Sequence, residues 1–371
     1  MRSKQDHQQR RRIWHPGFTE SAVRGYESRI RPYRQQLMGR ITSASEEGKP
    51  LDISKVFQWY GYDVISDLAL GESYGGLQKG VSVPIAQSFV KANMSMRKMY
   101  PTWFYRLIRT SSIGSREWKE YGDRIWKDLT KRMKTEPEVP DIFAYFLAPL
   151  KGQPPTPEDI PRLLGDAILL IGAGGDTTGM TLAVIIYELA RRPEEIQKLR
   201  DELAGCPREP GGEYAHESVA SLRHLNGVIN EAQRMHSGIP VQMPRKTPPD
   251  GLNIDGVYVP GDMNILSPHR EIGRSEAAFV RAQEFIPERW YLNPELIKDK
   301  SAHAPFSIGP YGCIGKPLAL MNLRTTIAQL VMTYDIALAP GDDGLSLERN
   351  MDEHFSIYVH ELHVVFRTRE L

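Results

Sequence analysis

The sequence predicts a mainly α-helical protein with a small β region. Three observations carry this. Apolar residues recur at spacings of three and four through four separate stretches, one long apolar segment is bounded by helix start and stop residues, and a Pro- and Gly-rich stretch with alternating apolar residues begins after Gly238.

The amphipathic stretches are residues 18–41, 53–70, 118–133 and 168–189, so helix dominates residues 1–236. The last stretch lies inside a longer predicted helix at 157–192. Thr156 suits its N-cap, Pro157 its first position, Glu158 and Asp159 its dipole, and Pro193 its end. Such a helix runs about 50 Å, enough to cross the molecule. A further helix is expected at 222–236. In 239–268, Leu252, Ile254, Val257 and Val259 alternate between turns at Asp250-Gly251 and Asp255-Gly256, which predicts short strands. Helix returns at 317–334, with Leu318, Leu320, Met321, Leu323 and Ile327 as its apolar face. With no repeat and no low-complexity linker, residues 1–371 read as one domain.

Bulk chemistry narrows the function classes. Lys plus Arg is 47 against Asp plus Glu 46, so no global field attracts nucleic acid or an anionic membrane. Two cysteines, Cys206 and Cys313, exclude a disulfide scaffold and a multi-thiolate zinc site. The first twelve residues are polar and basic without an apolar core behind them, so no signal peptide or transmembrane anchor is expected. The apolar run at 167–187 is interrupted by Asp176, which marks a buried helix rather than a span. A cytoplasmic chain is the expectation.

Chemistry concentrates in Phe306-Ser-Ile-Gly309-Pro-Tyr311-Gly312-Cys313-Ile-Gly315, a thiol in a Gly-rich loop just ahead of a helix. Loop and helix N–H groups stabilise a thiolate, so a lowered thiol pKa is expected. The glycines leave room for a flat ligand. A lone cysteine is more often an inert buried thiol, and for Cys206 that bland reading stands. A second cluster, Ala173-Gly174-Gly175-Asp176-Thr177-Thr178, places two glycines in a helix interior at a cost of about 1 kcal/mol each. Close helix packing would explain the glycines but not the acid and hydroxyls beside them. Third, Glu231 and Arg234 share a helix face, which alone reads as an ordinary surface ion pair.

Together these residues resemble the cytochromes P-450. Their haem-ligand loop has Phe, Gly, Cys and Gly at the spacing of Phe306, Gly309, Cys313 and Gly315, which implies that Cys313 is the axial iron ligand of haem b. The Ala173–Thr178 segment is similar to the family's oxygen-activation groove, where missing side chains let the helix open over the iron. By that resemblance Thr177 would hydrogen-bond dioxygen and Asp176 would relay protons as the catalytic pair. Pro287-Glu-Arg289-Trp290 resembles the segment whose Arg joins Glu231 and Arg234 in a buried triad supporting the haem loop. His7-Gln-Gln-Arg-Arg11, with Phe18 seven residues on, is similar to the propionate-binding helix, and Arg245 matches a second propionate contact. Tyr311 stands where a basic residue usually precedes the Cys by two, and offers a hydrogen bond but no charge.

The matches run from His7 to Ala319, and Pro-Tyr-Gly-Cys-Ile-Gly-Lys together with 57–76 looks like fungal members. The resemblance implies a cytochrome P-450 fold lacking its N-terminal elements, namely a membrane anchor, the first sheet strands and the pocket-capping loop. A version extended upstream would sit on the endoplasmic reticulum facing the cytosol. The implied activity is O2- and NADPH-dependent hydroxylation of an apolar small molecule in secondary metabolism, an oxidoreductase reaction that incorporates O2. Electrons would come from NADPH through NADPH-cytochrome P-450 reductase. Two alternatives stay open: a haem-thiolate isomerase or dehydratase, against which intact Asp176 and Thr177 argue, and a non-catalytic remnant. For the substrate wall, Phe89, Trp103 and Phe104 are candidates that core packing explains equally well.

Overall fold

A computed structural model describes residues 3–94, 116–137, 139–241, 244–353 and 355–370; Trp103 and Phe104 lie outside them. The chain opens with helix α1 (Lys4–Trp14), a single 3-10 turn (His15–Phe18), and α2 (Glu20–Glu46). Thr19 caps α2 by accepting from the Ala22 N–H at 3.3 Å, which places the start two residues after the apolar periodicity begins. Helix α3 (Ile53–Leu70) ends where Gly71 takes φ of 73° and returns its N–H to Asp67 O at 2.8 Å. Then follow α4 (Pro84–Met94), α5 (Arg116–Arg132) and α6 (Ile142–Leu147).

The long helix α7 spans Ile160–Ala190. Its predicted start at 157 is corrected: residues 157–159 form a turn, and the Thr156 side chain accepts no helix N–H, although its carbonyl takes the Ile160 N–H at 3.2 Å. Instead the Thr156 N–H and hydroxyl both donate to the Asp159 carboxylate, at 3.0 and 2.7 Å, which closes a turn ahead of the helix. By length and composition α7 could cross a membrane, but 61% of its most apolar window is buried among neighbouring elements. Helices α8 (Pro193–Leu203), α9 (Arg223–Met235) and α10 (Lys316–Thr333) complete the framework.

Strands are short. An antiparallel sheet orders β1 (Leu51–Asp52), β9 (His363–Thr368) and β6 (Tyr334–Leu338). The expected β region resolves into β2 (Arg245–Lys246) paired with β5 (Asn264–Ile265), and a hairpin of β3 (Leu252–Ile254) and β4 (Val257–Val259). Asp255 and Gly256 turn that hairpin with φ of 50° and 79°. A last hairpin joins β7 (Met351–Glu353) to β8 (Ile357–Val359).

At the centre α3 packs on α7 through glycine. A Cβ on Gly61 would lie 2.2 Å from Gly175 O, and one on Gly179 would lie 2.5 Å from Phe57 O. Beside them Ile65 fills the space over Gly174, and the Tyr62 ring covers Gly175. The expectation that these glycines open the helix is therefore corrected. Helix α7 is unbroken, and its glycines admit α3 at close range.

Candidate active site

Cys313 sits in the last loop before α10, with Gly315 at the helix N-cap. The loop is pinned locally: the Cys313 N–H donates to Phe306 O at 2.7 Å, and Gly312 N–H donates to Gly309 O at 3.0 Å. Gly309 takes φ of 70° and Ser307 56°, left-handed positions that make the loop turn tightly ahead of Cys313. Cys313 is exposed. A Cβ on Gly315 would lie 3.8 Å from its sulfur, an ordinary contact, so Gly315 packs directly beside the thiol.

The expected lowering of the thiol pKa is corrected. Surrounding protein desolvates the sulfur and raises its pKa, outweighing the backbone N–H groups of Gly315 and Lys316 and the charge of Arg11. The residue reaches solvent, yet the loop and the start of α10 crowd the sulfur itself, so desolvation dominates its electrostatics. A bound cation would reverse that balance by holding the thiolate. Cys206 is half-buried with its Sγ 3.7 Å from Glu202 O, and burial raises its pKa too.

Helix α1 bridges the Cys loop to α7. Arg11 donates from Nη1 to Gly312 O at 2.7 Å, while its neighbour Arg10 pairs with the buried Asp166. Around the loop gather the other sequence-chosen groups. The His7 ring lies 4.6 Å from the Tyr311 ring, and the Arg245 guanidinium 5.1 Å from that same ring. Burial and the charge of Arg11 lower the His7 pKa, so it offers a hydrogen bond rather than a charge. Phe306 stands 5.9 Å from the Lys316 ammonium. On the inner side Phe18 approaches Gly315, and Trp14 stacks on Phe146 with centroids 4.7 Å apart.

Along α7 one stripe is exposed while most of the helix is buried: Gly165, Leu169 and Ala173, four residues apart. Leu169 is 57% exposed, an unusual state for the middle of a core helix. Half-exposed Thr177 continues the stripe, its hydroxyl donating back to Ala173 O at 2.7 Å. Asp176 points the other way. It is 2% exposed, Ser356 Oγ donates to its Oδ2 at 2.7 Å, and burial pushes its pKa up to about 6. Gln58 faces the carboxyl from α3 and favours its charged form without closing a well-formed hydrogen bond, since Asp176 Oδ1 and Gln58 Nε2 are both buried and unpartnered.

Glu231, Arg234 and Arg289 meet in the interior. Glu231 accepts from Arg234 at 2.9 Å through both oxygens, from Arg289 Nε at 3.2 Å, from Ile286 N–H at 2.8 Å and from Trp290 Nε1 at 2.9 Å. Both guanidiniums spend their remaining donors on carbonyls, Arg234 on Gly273, Ala282 and Glu284, Arg289 on Val280, Leu296 and Arg281. Sequence reading missed Ser356, Gln58 and Arg10. All three partner residues more than a hundred positions away, and no local pattern marks them.

This fold and site have known relatives. The cytochrome P-450 family model matches residues 1–362. The chain is 44% identical over 368 residues to tryprostatin B 6-hydroxylase of Neosartorya fischeri, covering 99% of this chain and 67% of that protein. It is equally 44% identical over 363 residues to tryprostatin B 6-hydroxylase of Aspergillus fumigatus, covering 98% and 65%. A cytochrome P-450 monooxygenase of Aspergillus versicolor is 44% identical over 368 residues, with 99% and 67% covered. The chain thus spans about two thirds of the length of these curated relatives. Among solved structures, one cytochrome P-450 haem domain superposes with a TM-score of 0.78 at 18% identity, covering 97% of this chain and 75% of that one. A second cytochrome P-450 gives 0.79 at 20%, covering 96% and 77%. At those identities the likeness speaks to fold. The chain belongs to the cytochrome P-450 family. That family holds haem through a cysteine thiolate, and the residues here fit such a group: an exposed thiol with glycine at its side, and cations and hydrogen-bond donors around its loop.

Proposed function

We propose that the chain is a haem-thiolate monooxygenase that uses O2 and reducing equivalents to hydroxylate an apolar small molecule, with Cys313 as the axial ligand of haem b. The single observation that carries the assignment is the exposed Cys313 thiol, held in a loop that Arg11 fastens to α1. The chain's other cysteine, half-buried behind α8, has no such setting. Bound in this way, haem supplies reductive activation of O2 and transfer of one oxygen atom to substrate.

The protein's own groups divide the remaining work. Arg11, Arg245, His7 and Tyr311 surround the loop where two propionates need cations and donors, and Phe306 closes one side. Thr177 holds a hydroxyl on the exposed stripe of α7, where it can accept and pass a proton at Oγ1. Asp176 exchanges its proton near neutral pH because burial places its pKa at about 6. Glu231, Arg234 and Arg289 act as structural support rather than as reacting groups. Among the described residues the main hydrophobic core runs from Trp14 to Phe366, with a small satellite at Ala278, Phe279 and Ala282, which supports reading residues 1–371 as one domain.

NADPH-cytochrome P-450 reductase is the proposed electron donor, on the cytosolic side of the endoplasmic reticulum. Tryprostatin B, the substrate named for two relatives, is the first compound to try. The test is an absorption spectrum of the reduced, CO-bound protein beside Cys313→Ser. The wild type should show the red-shifted band of thiolate ligation, and the variant should lose it while remaining folded. A variant that keeps the band overturns the ligand assignment. Product formation that needs neither O2 nor NADPH overturns the monooxygenase reading in favour of an isomerase or dehydratase.

A further inference from the structure

Asp176 does not face the stripe that carries Thr177; it is enclosed by α3, α5 and the β7–β8 hairpin. Tyr62 and Gln58 face it from α3, Tyr121 from α5, and Tyr358 with Ser356 from the hairpin. The phenols all have raised pKa values, chiefly from burial, so they stay neutral across the physiological range. Of these neighbours Ser356 makes the direct contact, 2.7 Å from Oγ to Oδ2. The hairpin that delivers Ser356 is seated at both sides. Glu353 pairs with Arg270 at 2.5 Å, and the Ile357 N–H donates to Gly238 O at 3.1 Å.

A hydroxyl that donates to one carboxyl oxygen leaves the proton of the neutral acid on the other. Here that is Oδ1, buried and without a hydrogen-bond partner. We propose that Ser356 is a positioning residue for Asp176: by holding Oδ2 it directs the exchangeable proton to Oδ1, and it couples the acid to the seating of the β7–β8 hairpin. When the acid gives up its proton, the Oδ1–H bond breaks, a water molecule admitted from solvent accepts the proton, and the charge left on the carboxylate is held by the Ser356 hydroxyl, with Gln58 also favouring it. Losing that donor penalises the charged form, so the acid grips its proton more tightly. This inference rests on the proposed role of Asp176 as proton donor.

The experiment uses the haem-loaded full chain as wild type, Ser356→Ala, Ser356→Thr and Asp176→Asn. Infrared difference spectra across pH follow the C=O stretch of the protonated carboxyl, identified by its loss in Asp176→Asn. Ser356→Ala should raise the titration midpoint by about one pH unit, as expected for removing one hydrogen bond to a charged group. Ser356→Thr, which keeps the hydroxyl, should hold the wild-type midpoint. Product formed per NADPH consumed should move along the pH axis with the midpoint. An unmoved midpoint in folded Ser356→Ala overturns the proposal. A midpoint that moves while the product profile stays fixed supports the positioning and instead removes Asp176 from the proton relay.

Discussion

Arg11 reaches across 301 residues of sequence to donate to the Gly312 carbonyl at 2.7 Å, and so ties the thiol loop to the first helix. Its neighbour Arg10 fastens the same helix to α7 through Asp166. Helix α1 therefore ties the thiol loop to α7, although neither arginine is itself a reacting group.

Arg11→Ala should release the loop and weaken haem retention. A part-buried hydrogen bond from a charged donor is worth roughly 1.5–3 kcal/mol, so haem loss should quicken by about tenfold or more. Arg11→Lys should recover only part of this, because an ammonium cannot reproduce the guanidinium fork. Haem transfer to excess apomyoglobin measures the rate. If Arg11→Ala retains haem as long as the wild type, the loop is held by its internal hydrogen bonds alone.

The glycine crossing makes a second prediction with an internal control. Gly61→Ala places a methyl 2.2 Å from the Gly175 carbonyl, where backbone must move, so it should destabilise by about 3 kcal/mol or more. Gly39→Ala, on the exposed face of α2 with nothing within 4 Å, should instead stabilise by about 0.5–1 kcal/mol. Thermal unfolding of both variants checks the sign of each. A neutral Gly61→Ala would mean that α3 and α7 slide apart without cost.

Much of this molecule was legible in its sequence. The 53–70 periodicity matches α3 because both faces of that helix meet other elements and Gly71 stops it. The β3–β4 hairpin followed from Asp-Gly turn chemistry. What periodicity could not supply was partnership. Apolar alternation at Val364 and Phe366 is present in β9, but six residues give a weak signal beside a long helix. The orientation of Asp176 depends on Ser356, 180 residues later, and adjacent Asp176 and Thr177 necessarily point about 100° apart on a helix. The glycines beside them were open to two readings, and only the position of α3 decides for packing.

Glu231 supports a third prediction. Its carboxylate is the counter-charge for two fully buried guanidiniums, so Glu231→Gln leaves both without compensation. Breaking one partner of such a buried network costs about 3–5 kcal/mol. The melting temperature should fall by roughly 5–15 °C. Glu284→Gln, which breaks the exposed pair with Arg281, should shift it little. Equal shifts in the two variants would remove the triad as a support of the fold.

The last prediction concerns pH. Burial raises the Asp176 pKa from 3.8 to about 6, so between those values the native state binds a proton that the unfolded chain releases. The sign follows from that difference. The contribution is fully present below about pH 4 and is lost as pH rises through 6, which amounts to about 3 kcal/mol above that window. The facing groups Tyr62, Tyr121 and Tyr358 keep their protons throughout, and Ser356 and Gln58 do not titrate, so the effect belongs to the acid. Asp176→Asn is neutral at every pH and escapes the cost of burying a charge. Relative to wild type it should therefore melt higher at pH 7.5, and the advantage should shrink as the pH is lowered toward 5. Other groups contribute equally to both proteins and cancel in the difference. The measurement is the wild-type minus Asp176→Asn melting temperature across that range. A difference that stays flat with pH would mean that the carboxyl is not strained by burial, and its fitness to exchange a proton near neutrality would lose its physical basis.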